Sequence, residues 1–466
     1  MAGNCTFEPV GWDDGSTGFS NRFEFKVLGH SAGPSGVCTI VHMSFVATLP
    51  NAATTQRARR AVSLFFFTNG ALIAGLIPHY PAIKETLGLS ATMYGVAIAA
   101  VPTGAMVMGP LAGWFVRKYS SAHVATAGTV ILATLIALAS TTPHVGLLMT
   151  ALFFVGAADS IVDVAQNAHG LRVQRAYKRS IINSFHALWS VGAVTGGALA
   201  ALAINLDVNR TWQLILSGAV ICAITLYAFT LRLPGHDSTE VMAAELNPSD
   251  LNPTELNPTE PSRTKPATSS GNKVRSTFAS RTVLILAILS LISIAGALVE
   301  DAGSSWATLY FQDSLGADPG LAPLGFIVIV GAQFIGRILG DRMIDAWGQR
   351  FVGRLGGILI AAGFGVALGF PSISLTIIGF ACAGFGSATL VPVAMQNADE
   401  APGLRPGTGL TIVSWLLRVG FLVSPPLVGA IADATNLRTG LIIIPLAGLF
   451  VIAATQIFHS KPRTSA

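Results

Sequence analysis

Twelve apolar stretches of about twenty residues or more recur between residues 61 and 458. Helices of that length match the hydrocarbon core of a bilayer, ~30 Å at 1.5 Å per residue. The stretches read as 61–80, 91–116, 122–140, 144–168, 181–205 and 212–233, then 282–305, 320–343, 351–370, 373–398, 407–432 and 438–458. With no water available, each backbone must satisfy its own hydrogen bonds, so each stretch is expected as a helix. Ser90 and Asp318 stand where N-caps of the second and eighth helices are expected. Composition agrees: 52% of the 466 residues are hydrophobic and only 11% charged, which excludes an ordinary soluble globule of this length.

The net charge of +5 would suit a nucleic-acid binder, but the cations lie in short connections between apolar stretches. One side collects Arg57, Arg59, Arg60, Arg117, Lys118, Arg172, Arg175, Lys178, Arg179, Arg232, Arg281, Arg342, Arg350, Arg354, Arg405, Lys461 and Arg463. The other has Lys84, Arg210 and Arg438. That bias predicts a multi-pass protein of the cytoplasmic (inner) membrane with both termini in the cytoplasm. Residues 1–59 are expected to be a disordered cytoplasmic leader, with Met43 a second candidate start. Residues 60–233 and 281–458 are expected as two six-helix bundles, and 459–466 as a tail. The linker 234–280 holds three Leu-Asn-Pro pentapeptides from Leu246 to Glu260; proline every five residues forbids a regular helix, so a flexible tether is expected. The four cysteines have no metal-ligand spacing, no disulfide is expected, and no cofactor or metal is called for.

The halves echo each other. Gly109-xxx-Gly113 matches Gly336-xxx-Gly340 at an offset of 227. Gln166-Asn167-Ala168 matches Gln396-Asn397-Ala398 at 230, with Gly386 read as the partner of Gly156. In the first copy Gly156, Asp159, Asp163, Gln166 and Gly170 share one helical face. The second copy has Thr389 and Val393 in place of the acids. Acids inside a membrane cost roughly 2.5–3.5 kcal/mol each and are expected to face protein or a wet cavity. Two repeats joined by a long linker suit a rocking transporter with its site between the halves.

The segment Gly336-Arg-Ile-Leu-Gly340-Asp341-Arg342, continuing to Gly348 and Arg350, resembles the signature loop of the major facilitator superfamily. Its first-half counterpart, Gly109 to His123, lacks the acid and the second glycine. The stretches Asp163 to His169, Ser184 to Gly192, Trp306 to Tyr310 and Gly420 to Gly429 resemble a bacterial, rhizopine-related subgroup of inner-membrane proteins. The resemblance implies an all-α fold of twelve transmembrane helices in two pseudo-symmetric bundles. It also implies a gate role for Gly336, Gly340, Asp341, Arg342, Gly348 and Arg350.

Intramembrane charge falls on the fourth, seventh, eighth and eleventh helices and is absent from the interiors of the third, sixth, ninth and twelfth, which are expected to face lipid. The candidate substrate- or proton-binding residues are Asp159, Asp163, His186, Glu300, Arg418, Asn69, Gln166, Asn167, Gln396, Asn397 and Trp306. Asp159, the deeper acid, suits a coupling proton. Asp163 suits either the cavity or a gate pair with a basic loop residue. Glu300 or Asp301 can neutralise Arg418. His79 and Tyr80 are expected at the membrane interface. The leading function is secondary active transport of a small organic solute by alternating access, proton-coupled, by a monomer; the alternatives are a drug or metabolite efflux antiporter and a non-transporting receptor on the same scaffold. No Gly-x-x-x-x-Gly-Lys-[Ser/Thr] segment supports a nucleotide-driven pump, and no nucleophile or metal motif supports an enzyme.

Overall fold

A computed structural model describes residues 5–9, 25–29, 52–177, 181–235, 272–402, 404 and 408–458. Among the described residues twelve helices are long and apolar enough to cross a membrane. In the first half they are α1 (Ala52–Thr86), α2 (Ala91–Tyr119), α3 (Ser121–Ala139), α4 (Val145–Tyr177), α5 (Ser184–Asn205) and α6 (Arg210–Thr230). In the second they are α7 (Arg281–Ser314), α8 (Leu324–Trp347), α9 (Gln349–Gly369), α10 (Ile373–Asp399), α11 (Thr408–Ala434) and α12 (Leu437–Ile457). Twelve crossings put the start of α1 and the end of α12 at one end of the bundle, called here the terminal end. The loop cations Lys178, Arg179, Arg405, Lys461 and Arg463 and the Leu-Asn-Pro repeats lie outside the described residues.

Within the leader expected to be disordered, β1 (Cys5–Pro9) and β2 (Phe25–Gly29) pair antiparallel, with Cys5 opposite Gly29. Phe7, Phe25 and Val27 favour that extended backbone. Ser90 caps α2, its hydroxyl accepting from Met93 N at 3.2 Å. Asp318 does not cap α8: the helix starts at Leu324, and Asp318 accepts Leu321 N and Ala322 N through its backbone carbonyl instead.

Glycine sets the packing within each half. A Cβ on Gly104 would lie 1.9 Å from Phe153 O, and one on Gly156 1.9 Å from Val101 O, so α2 and α4 meet backbone to backbone. Gly70, Gly192 and Gly196 do the same for α1 and α5, each 2.1 Å from an opposing carbonyl oxygen by the same measure. In the second half Gly384 meets Ile329 O, the contact of Gly156 with Val101 O moved on by 228 residues. The structural counterpart of Gly156 is therefore Gly384, and Gly386 packs on Gly356 O of α9. The Gln-Asn-Ala match stays at 230: Asn167 Nδ2 donates to Asp163 O at 2.9 Å and Asn397 Nδ2 to Val393 O at 2.8 Å. The two additional residues are taken up where α10 breaks between Ile373–Ser387 and Leu390–Asp399.

The loops after α2 and α8 share a backbone despite their different sequences. Gly348 has φ +84° and its N–H donates to Ile344 O at 2.7 Å. Ser120, 228 residues earlier, has φ +68° and donates to Val116 O at 2.9 Å. Its hydroxyl meets His123 Nδ1 at 2.8 Å, a local bond that supports a serine where glycine is the easier residue.

Candidate functional site

The halves meet mainly through α2 on α11 and α5 on α8. At the end away from the termini the joint is tight. Gly95 approaches Pro425 O, Gly429 approaches Ala91 O, and Gly197 meets Phe326. Both oxygens of Asp433, at the end of α11, accept the first N–H groups of α2: Ala91 N at 2.8 Å and Thr92 N at 2.7 Å. Tyr94 OH donates to Ser305 O at 2.6 Å, and its ring stands edge-on to Trp306 at 4.8 Å. Lys84 and Asp313 lie 3.8 Å apart, and Asn205 Nδ2 donates to Gly320 O at 3.2 Å.

Toward the terminal end the halves diverge. Gly109 of α2 faces the tip of Arg418 on α11, where a Cβ would lie 4.0 Å from the guanidinium, and Asp163 and His186 are exposed. The first half brings a chain of polar groups to this opening. Asn69 is 2% exposed; its Nδ2 donates to Asp159 Oδ1 at 2.8 Å, and its Oδ1 accepts Trp189 Nε1 at 2.7 Å. One amide thus links α1, α4 and α5 and holds the acid in place. One turn on, Asp163 Oδ1 accepts Asn167 Nδ2 at 3.0 Å and Gln166 Nε2 at 3.4 Å. The basic loop partner expected for Asp163 is not found among the described residues. His186 packs edge-on against Phe66 at 5.0 Å.

The second half supplies the cations. Glu300 Oε2 accepts Gln333 Nε2 at 2.8 Å and lies 3.7 Å from Arg337 on α8. The expected pairing of Glu300 or Asp301 with Arg418 is thus replaced by Glu300 with Arg337, because Arg418 projects from α11 toward α2. Asp301 takes Ser305 Oγ at 3.2 Å, while its Oδ2 is buried without a hydrogen bond, beside Ser424. Within the first half Asp163 lies in the field of His186; across the gap Asp163 lies in the field of Arg418, and His186 in that of Arg337.

Other candidates lie elsewhere. Gln396 and Asn397 sit by the loop after α8, where Asn397 Nδ2 donates to Gln349 Oε1 at 2.8 Å and Gln396 Oε1 accepts Gln349 Nε2 at 3.4 Å. Trp306 is fully buried in the tight joint. His79 and Tyr80 are buried inside the bundle, because α1 continues past them to Thr86. His79 Nε2 meets Gln213 Oε1 at 2.8 Å, and Tyr80 stands edge-on to Tyr94 at 6.1 Å. In the signature loop Gly336 and Gly340 pack on α10 at Ala388 and Thr389, Asp341 and Arg342 are exposed, and Arg350 donates to Phe458 O at 3.0 Å and Gln456 O at 2.7 Å. The sequence reading passed over Arg337 as a partner and missed Tyr94 and Asp433. The only available signal for Asp433 is its spacing one turn beyond Gly429 on the same face.

The family model for the Major Facilitator Superfamily matches residues 62–396 and 304–466. The chain is 26% identical over 432 residues to Membrane protein MosC of Rhizobium meliloti, covering 92% of this chain and 96% of that protein. It is 24% identical over 396 residues to Uncharacterized transporter y4wD of Sinorhizobium fredii, covering 84% and 96%. Among solved structures, the nucleoside transporter NupG superposes with a TM-score of 0.64 at 12% identity, over 87% of this chain and 98% of that one. The D-xylose-proton symporter gives a TM-score of 0.64 at 15% identity, over 88% and 98%. These structures share the fold of this chain. The chain is a multi-pass membrane transporter that belongs to the major facilitator superfamily.

Proposed function

We propose that the protein is a proton-coupled secondary transporter that carries a small organic solute across the cytoplasmic membrane by alternating access. The observation that carries this reading is Asp159. It lies deep in α4, is held by Asn69, and has no basic partner among the described residues. A carboxylate so placed is a natural binding point for a proton drawn from the open side. The bias of Lys and Arg toward the terminal end supports a cytoplasmic location for that end. On that orientation the protein is open to the cytoplasm and sealed outside by the Asp433, Tyr94 and glycine contacts. Rocking of the halves about α2–α11 and α5–α8 exposes the same residues to the other side.

The test is transport by purified protein in proteoliposomes. Asp159→Asn is expected to abolish accumulation driven by a pH gradient and to retain solute exchange. Accumulation unchanged in that variant refutes the coupling role of Asp159.

A further inference from the structure

The polar groups around the opening divide into those already partnered and those still available. Asn69 uses both ends of its amide, on Asp159 and Trp189. Glu300 is engaged by Gln333 and Arg337. Asp159 and Asp163 each accept side-chain hydrogen bonds through Oδ1, which leaves Oδ2 of both without a partner among the described residues. Arg418 makes no hydrogen bond and no ion pair among the described residues, although its guanidinium is half-buried and lodged against α2. The first half therefore presents free acceptors with negative charge, and the second presents a free planar donor fork with positive charge. Asp163 and Arg418 sense each other electrostatically without touching.

We infer that the transported solute is a small zwitterion of amino-acid type, its carboxylate on Arg418 and its ammonium on Asp163. This inference rests on the transport reading above. The guanidinium fork matches a carboxylate in bidentate fashion. A neutral polyol cannot meet that charge, and a simple anion leaves the Asp163 oxygen unmet. An ammonium–carboxylate pair meets both walls at once and draws the halves together, which couples occupancy to closure. Asp159, one turn deeper, remains free for the proton.

The experiment is a thermal-shift and calorimetric comparison on the purified full chain with three pools: the proteinogenic amino acids, their decarboxylated amines, and the matching 2-hydroxy acids. Only the amino-acid pool is expected to stabilise the protein. Arg418→Gln is expected to weaken binding of the active member at least about 30-fold. Arg418→Lys keeps the charge but loses the fork, and falls between. Asp163→Asn weakens the amino acid while leaving any residual binding of the hydroxy acid unchanged. Equal stabilisation by amines or hydroxy acids, amino-acid binding that survives Arg418→Gln in a protein of unchanged melting temperature, or no response to any pool overturns the inference. Counterflow separates it from the transport reading. Pools that fail while Asp159-dependent proton flux persists sink the zwitterion alone; amino-acid binding without counterflow sinks the transporter and leaves the site.

Discussion

Removing the carboxylate of Asp433 should open the sealed end of the molecule. Its two oxygens accept Ala91 N at 2.8 Å and Thr92 N at 2.7 Å, the unsatisfied donors of the first turn of α2. Hydrogen bonds to a charged group contribute about 1.5–3 kcal/mol when buried. Asp433 is exposed, so the smaller figure for a charge at an exposed helix end applies, about 0.3–1 kcal/mol, with a modest addition for two well-formed bonds. The working estimate is ~1–2 kcal/mol, or a factor of about 5–30 in the balance between sealed and open forms. Asp433→Ala removes both acceptors and should give the whole shift; Asp433→Asn keeps one oxygen and should give about half in free energy. Lys84→Met is the internal control: the Lys84–Asp313 pair is 3.8 Å apart and partly exposed, and such pairs contribute about 0–1 kcal/mol. Spin labels at Glu85 and Thr435, exposed positions on opposite halves near the sealed end, report the separation by pulsed dipolar spectroscopy in a cysteine-free background. A long-distance population that grows in Asp433→Ala and not in Lys84→Met is the expected result. A distance distribution identical to the parent in Asp433→Ala, in a protein that melts normally, refutes the latch.

Three further substitutions test the frame of the site. Asn69→Leu strands Trp189 Nε1 and Asp159 Oδ1 together; interhelical bonds in membranes average about 0.6 kcal/mol, but orphaned buried groups cost more, so a loss of about 1–3 kcal/mol in detergent unfolding is expected, with Trp189→Phe giving roughly half. Gly156→Leu should yield no monodisperse protein by size-exclusion chromatography, since its first side-chain carbon already falls 1.9 Å from Val101 O; a normal elution profile would show that α2 and α4 separate more easily than their backbone contact implies. At Ser120 the positive φ with extended ψ costs an L-residue about 1–3 kcal/mol and the His123 bond returns about 0.5–1.5. Melting temperatures should therefore rank glycine at or above serine, then alanine, then valine.

The twelve helices and their two-fold repeat were legible in the sequence because bilayer thickness imposes one length on every crossing. The glycines of α5 were legible for a similar reason: close helix contact has few residue choices, and Gly192 and Gly196 do meet α1. Rotation of each helix about its own axis was not legible. An all-round apolar helix carries almost no periodic signal, so the sequence offered Arg418 as a partner for Glu300 when Arg337, one turn beyond Gln333 on α8, takes that place. The same gap hid His79 and Tyr80, which look like interface anchors until α1 is seen to run on to Thr86. It also hid the two-residue offset in α10, since a helix break inside an apolar stretch leaves no mark in composition. Asp433 escaped because an acid at the end of an apolar stretch ordinarily meets water, and its partner is backbone 342 residues away.

The glycine contacts between α2 and α11 also bear on how fast the halves can part. Where side chains interdigitate, separation forces a sequence of rotamer changes, each with its own barrier. At Gly95 against Pro425 O and Gly429 against Ala91 O there is no side chain on the glycine to withdraw. The two surfaces lift apart as smooth faces, and the activation barrier falls on the few polar contacts at the rim. Turnover should then respond more strongly to rim substitutions than to substitutions of the apolar residues lining the joint.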